Sequence, residues 1–134
     1  MKELNELILP DELAYSKEHE WAQKKGDVIR VGISDFAQDQ LGDIVFVELP
    51  EEGASFDQDE EFGTLESVKA VSEIYMPVGG TITAVNTQLE EKPELVNQDP
   101  YGQGWLVEVA PRDPGQFDAL MDKNEYFEML KGEE

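Results

Sequence analysis

The chain has 134 residues, 40% of them hydrophobic, which suits one domain with a modest core and rules out a fully disordered polymer. Its 31 acidic residues against 10 basic ones give a formal net charge of −21, a surface that repels phosphate backbones and anionic lipid. There are no cysteines, so disulfides, thiolate metal sites and a cysteine nucleophile are excluded together. Neither nucleic acid nor membrane is therefore an expected partner. Partners presenting lysine and arginine are, with encounter rates that respond to salt. No apolar run reaches the roughly 20 residues of a membrane helix. The acidic opening Met1-Lys2-Glu3-Leu4-Asn5-Glu6 resembles neither a secretory signal nor a transit peptide, so a cytoplasmic protein is expected.

In chain order, Leu4, Leu7, Ile8 and Leu9 could form one amphipathic turn. Val28 to Ile33 alternates, with Ile29, Val31 and Ile33 on one face and Arg30 on the other, which predicts a strand. Ser34 is placed to cap a short helix carrying Phe36, Ala37 and Leu41, which Gly42 would end. Ile44 to Leu49 is a β-rich run closed by Pro50 and Gly53. Three further strands are expected at Phe62–Glu66, Val71–Met76 and Thr81–Val85, and a last one at Trp105–Val109, ended by Pro111. The acidic stretches Glu51-Glu52 and Asp57 to Glu61 read as solvated loops. Asp113-Pro114-Gly115-Gln116 carries a cap, a first-turn proline and a glutamine three residues on; Asp122 to Glu125 repeats the pattern before Tyr126, Phe127, Met129 and Leu130. The result is a mainly β fold, a sandwich or flattened barrel, with short helices and a C-terminal helix packed on the sheet.

Ordinary catalytic sets find little support. The chain has one histidine, His19, and no Gly-x-Ser-x-Gly elbow, so a serine triad is not expected. One histidine between two glutamates makes no metal site either; His19 is expected as a surface strand residue. With so many carboxylates, a glycosidase-type pair cannot be argued from abundance. Gly79-Gly80 and Gly102-Gln103-Gly104 lack the Gly-Lys-Ser/Thr of a phosphate loop and read as turn glycines.

The informative stretch runs from Gly63 to Pro77, where Lys69 sits between two strand-like runs at the expected reversal. On spacing alone such a lysine is most often a solubilising surface residue. The alternative is a displayed amine for covalent modification, since the stem is long and a hairpin tip is open to an enzyme. Physics allows both.

Resemblance separates them. Glu66-Ser67-Val68-Lys69-Ala70 resembles the lipoylation motif of glycine cleavage H proteins. Tyr15-Ser16-Lys17-Glu18-His19-Glu20-Trp21 is similar to that family's opening strand, and Gly32 to Gln38 with Leu41 to Pro50 to its next block. Pro93 to Asn97, and Pro100-Tyr101-Gly102 through Gly104-Trp105, resemble later blocks in the same order. Two positions depart from the pattern: Phe36, where some members carry histidine, and Gly79, where serine is common.

The resemblance implies a barrel-sandwich hybrid of the lipoyl-domain type, with residues 1–12 as an N-terminal extension and 13–134 as the carrier domain with its C-terminal helices. It implies lipoate covalently bound to Lys69, with Glu66, Ser67, Val68 and Ala70 recognised by the lipoyl ligase or octanoyltransferase. Glu20 matches the family glutamate facing the loaded arm, while Glu18, Glu73 and Phe36 match positions lining that cleft; Trp21 is expected in or beside the core. The implied function is that of a carrier and no enzyme, with no catalytic or metal-binding residues of its own. It would take the aminomethyl group of glycine from the decarboxylase (P protein) to the aminomethyltransferase (T protein), then electrons to dihydrolipoyl dehydrogenase (L protein). A monomer is expected. A lipoyl relay protein that donates lipoate to 2-oxoacid dehydrogenase carriers would use the same lysine and is the alternative. Asp-Lys-Ala of dehydrogenase lipoyl domains and Met-Lys-Met of biotinyl carriers are both absent.

Overall fold

Alternating apolar positions build two antiparallel sheets that close over a shared core. The computed structural model describes residues 3–133; Met1, Lys2 and Glu134, at the ends of the expected extension and carrier domain, lie outside it. Its strands are β1 (Ala14–Tyr15), β2 (Glu20–Lys25), β3 (Val28–Ile33), β4 (Ile44–Glu48) and β5 (Ser55–Phe56), then β6 (Glu61–Ser67), β7 (Val71–Tyr75), β8 (Gly80–Val85) and β9 (Val107–Pro111). One sheet runs β1-β2-β3-β9-β8-β5 and the other β4-β6-β7. Register places Ile29 opposite Val109 and Val31 opposite Val107, and these meet Ile44, Val47, Leu65 and Ile74 of the smaller sheet in one buried cluster. Burying such side chains is worth roughly 1.5–3 kcal/mol each, which is why the alternation decides the inward face.

The helices follow their caps. Ser34 Oγ accepts from the Ala37 amide and starts α1 (Asp35–Leu41), which Gly42 ends at φ 81°. Two short elements fall where no helix was expected: a 3-10 turn at Thr87–Glu90 and α2 (Leu95–Gln98), which seat Leu89, Leu95 and Val96 in the core. Asp113 caps α3 (Pro114–Asp118) through the Gly115 amide. The expected return bond from Gln116 is absent; its Oε1 instead accepts from the Gly79 amide at 2.8 Å. Asp122 and Glu125 do form the reciprocal box, each accepting the other's amide, at the start of α4 (Lys123–Glu133).

Two other expectations are corrected. The single opening strand over Tyr15–Trp21 is two strands, because Ser16 to His19 reverses the chain between β1 and β2. The last strand begins at Val107 rather than Trp105: the Trp105 amide is taken by the Gly102 carbonyl in a turn, and the Arg30 guanidinium covers its ring. A second buried cluster joins Leu9, Leu13, Tyr15 and Trp21 to Tyr126 and Leu130 of α4. The N-terminal segment is fastened there, with a 3-10 turn at Leu4–Glu6, the Ile8 amide on Asp35 and the Tyr101 hydroxyl on the Ile8 carbonyl. Among the described residues no helix is long and apolar enough to cross a membrane.

Trp21 is fully buried, and its indole N–H donates to the Pro100 carbonyl at 2.9 Å. Gly32, its partner across β2–β3, has no room for a side chain: a Cβ would lie 2.6 Å from three atoms of the ring. Gly32→Ala is expected to lower unfolding free energy by about 1–3 kcal/mol through overpacking, read from denaturant midpoints.

Candidate functional site at the β6–β7 reversal

The two strands separate after the Glu66–Val71 pair, leaving Ser67 to Ala70 to make the reversal. Ser67 is buried and closes the turn: its amide donates to the Ala70 carbonyl at 2.8 Å, while its Oγ accepts from the amides of Ala70 and Lys69 at 3.0 and 3.2 Å. The Val68 amide donates to the Asp43 carbonyl, which ties the tip to the segment after α1. With its backbone satisfied from within, the turn leaves Val68, Lys69 and Ala70 exposed. The lysine stem passes Gly42; a Cβ there would stand 3.4 Å from Lys69 Cε. Asn97 holds both sides of that passage, donating to the Gly42 carbonyl and accepting from the Ile44 amide.

Apolar side chains flank the lysine. Val68 is 72% exposed, and Phe46 and Val71 stand on either side of Glu66 in one cross-strand row. Val45 occupies the irregularity between Ile44 and Phe46 and is exposed too.

Beside the tip, α1 forms one wall of a cleft of about 320 Å³ lined by Phe36, Ala37, Gln40, Leu41, Ser72, Glu18 and His19. A neighbouring hollow holds Lys17, Glu18, Asp59 and Tyr75. Of the four residues that the resemblance matches to an arm cleft, Glu18 and Phe36 line this hollow, and Glu20 and Glu73 do not. Glu20 is only 2% exposed; its Oε1 accepts from Ser16 Oγ at 2.6 Å and its Oε2 from the Tyr75 amide at 3.2 Å. Burial pushes its carboxyl up to about 8, against the two hydrogen bonds, with the charge of Glu18 adding to the rise. Glu73 is exposed on β7. Even so, partial desolvation and then the charges of Glu73, Glu61, Glu18 and Glu20 raise the Tyr75 phenol, which marks where these acids converge.

His19 corrects an expectation. It is no surface strand residue; it is half-buried in the Ser16–His19 reversal at φ 76°, its ring 4.9 Å from that of Phe36. Nothing in the pattern around His19 announced this, because the reversal lacks the glycine or asparagine that usually marks one. Gln40 and Leu41 were legible in principle, as the i+4 partners of Phe36 and Ala37 on one helix face.

The Glu20 shift has a sign. Its ordinary value is 4.5, so between there and about 8 the folded protein keeps a proton that the unfolded chain has released. Stability is highest below this window and falls as pH rises through it, by up to roughly 1.4 kcal/mol per unit. Removing the titration with Glu20→Gln is expected to improve stability relative to the parent progressively from about pH 5 to about pH 9, read from urea midpoints across the range.

Comparison with known proteins adds the lineage. Residues 13–133 match the family described as Glycine cleavage H-protein. The chain is 54% identical over 125 residues to the glycine cleavage system H protein of Halalkalibacterium halodurans, covering 93% of this chain and 98% of that one. To the glycine cleavage system H protein of Thermus thermophilus it is 52% identical, with the same coverage. A crystal structure of a glycine cleavage system H protein from Mycobacterium marinum superposes with a TM-score of 0.84 at 37% identity, over 92% of this chain and 99% of that one. The chain belongs to the glycine cleavage H-protein family.

Proposed function

We propose that the chain is the lipoyl-bearing shuttle of the glycine cleavage system and that Lys69 Nζ is the point of attachment. The observation that carries this reading is an exposed lysine, held out by a braced turn, whose stem runs past Gly42 at the end of α1, the helix that lends Phe36, Ala37 and Leu41 to the cleft. Phe36, Ala37 and Leu41 suit a hydrocarbon chain, and Gly42, kept as glycine by its φ of 81°, lies beside its root. When attached, the lipoyl group supplies a disulfide that accepts the aminomethyl group of glycine together with electrons. The protein's own part is to present, seat and release; it is a carrier among enzymes. The partners this role requires are glycine decarboxylase, the aminomethyltransferase and dihydrolipoyl dehydrogenase, along with the ligase or octanoyltransferase.

An enzyme that acylates Nζ must bring its own centre against the lysine, so it meets the residues beside it. Glu66, Val68 and Ala70 are exposed for that contact, with Phe46 and Val71 framing Glu66. Ser67 serves differently, from inside, by holding the turn. Acids in and beside the cleft then suit a cationic cargo. Glu18 faces it directly, and a buried carboxyl such as Glu20, neutral when alone, ionises readily once an ammonium comes near.

Intact-mass and peptide mapping of protein from its native host are expected to find the acyl addition at Lys69 and to lose it in Lys69→Arg. A bare Lys69 in protein that still supports glycine cleavage overturns the assignment. For the acid, Glu20→Ala is expected to leave the modification in place and speed ammonia loss from the loaded carrier about tenfold, equivalent to about 1.4 kcal/mol. An unchanged rate removes Glu20 from the role.

A further inference from the structure

Tyr126 carries the C-terminal helix to the frame of the cleft. Tyr126 of α4 is fully buried, and its hydroxyl hydrogen-bonds with His19 Nδ1 at 2.9 Å and with Ser34 Oγ at 2.7 Å. Both partners belong to the cleft's frame. His19 lines it and touches Phe36, and Ser34 caps the helix that supplies Phe36, Ala37, Gln40 and Leu41. The two partners are also joined directly, since the Ser34 amide donates to the His19 carbonyl at 2.9 Å.

His19 needs such support. A non-glycine residue at φ 76° occupies a sparsely populated region, which histidine tolerates better than most but still at a cost. Its backbone is held by Ser16 on one side and Ser34 on the other, and its ring by Tyr126, which meets it edge-on at 5.8 Å. Tyr126 is itself immobilised, stacked on Tyr15 at 4.7 Å with the rings 2° from parallel. Rings locked in this way transmit position, because a packed interior leaves them no alternative setting.

We infer that Tyr126 is a positioning residue for the arm cleft: from the last helix it fixes the His19 wall and the start of α1 through a single hydroxyl. This rests on the cleft being the seat of the loaded arm. The last helix therefore helps set the shape of the site as well as closing the second core.

The test compares Tyr126→Phe with Tyr15→Phe in the full chain. Both variants keep the stacked rings and lose one hydroxyl; that of Tyr15 donates to the Pro10 carbonyl, and neither residue lines the cleft. In unmodified protein, Tyr126→Phe is expected to move the His19 ring signals in NMR, while Tyr15→Phe leaves them in place. In the loaded carrier, Tyr126→Phe is expected to speed ammonia loss about fivefold, the scale of one or two lost hydrogen bonds, and Tyr15→Phe to match the parent. Unmoved His19 signals, or equal acceleration by both variants, overturns the inference. Should Tyr126→Phe fail to fold, His19→Asn keeps a residue tolerant of positive φ, removes the ring, and is expected to give the same fivefold change. A bare Lys69 in native protein would instead defeat the lipoyl reading, while the His19 signals still judge the hold exerted by Tyr126.

Discussion

At the tip of β6–β7 a buried serine hydroxyl takes two backbone amides that would otherwise point at water, and the position of everything else at the site follows from it. With Ser67 turned inward, the next three side chains have to face out, and the lysine is among them. The carbonyl of Asp43 and the side chain of Asn97 then fix the tip against the end of α1, so the lysine stem and the cleft wall share one frame. A turn left to solvent would show the same amine in many directions. This one gives it a root.

Burial sorts the acids into two kinds. Glu66 and Glu73 stand in water, as do the carboxylates of the Glu51-Glu52 loop. Glu20 has been withdrawn and carries an elevated affinity for its proton. Composition says that the chain is acidic; only packing says which acid is held neutral beside the cleft.

The parts of the fold legible in the sequence were those governed by local rules. Val28–Ile33 declared itself by alternation, α1 by its serine and glycine, and α4 by Asp122 and Glu125. Lys69 was placed in its reversal by strand spacing and singled out by resemblance. What could not be read depends on residues far apart in the chain. The Ser16–His19 reversal carries no turn residue of its own and is held by Ser34 and Tyr126 from elsewhere. Gln116 spends its side chain on Gly79 rather than on its own helix, a choice made by tertiary proximity. The first strands of the small sheet look ordinary until register sets Phe46 and Val71 on either side of Glu66.

That apolar shoulder has a further consequence. On a weakly charged protein, Val45, Phe46, Val68 and Val71 turned to water would be a seed for clumping, the more so because β4 lies at the edge of its sheet. The irregularity at Val45 roughens that edge, and two copies, each of formal charge −21, repel before their tips can meet. A cationic visitor feels the opposite force. The same acidity thus works as a sorting field, keeping sticky tips dispersed in a crowded solution while drawing in surfaces of the other sign.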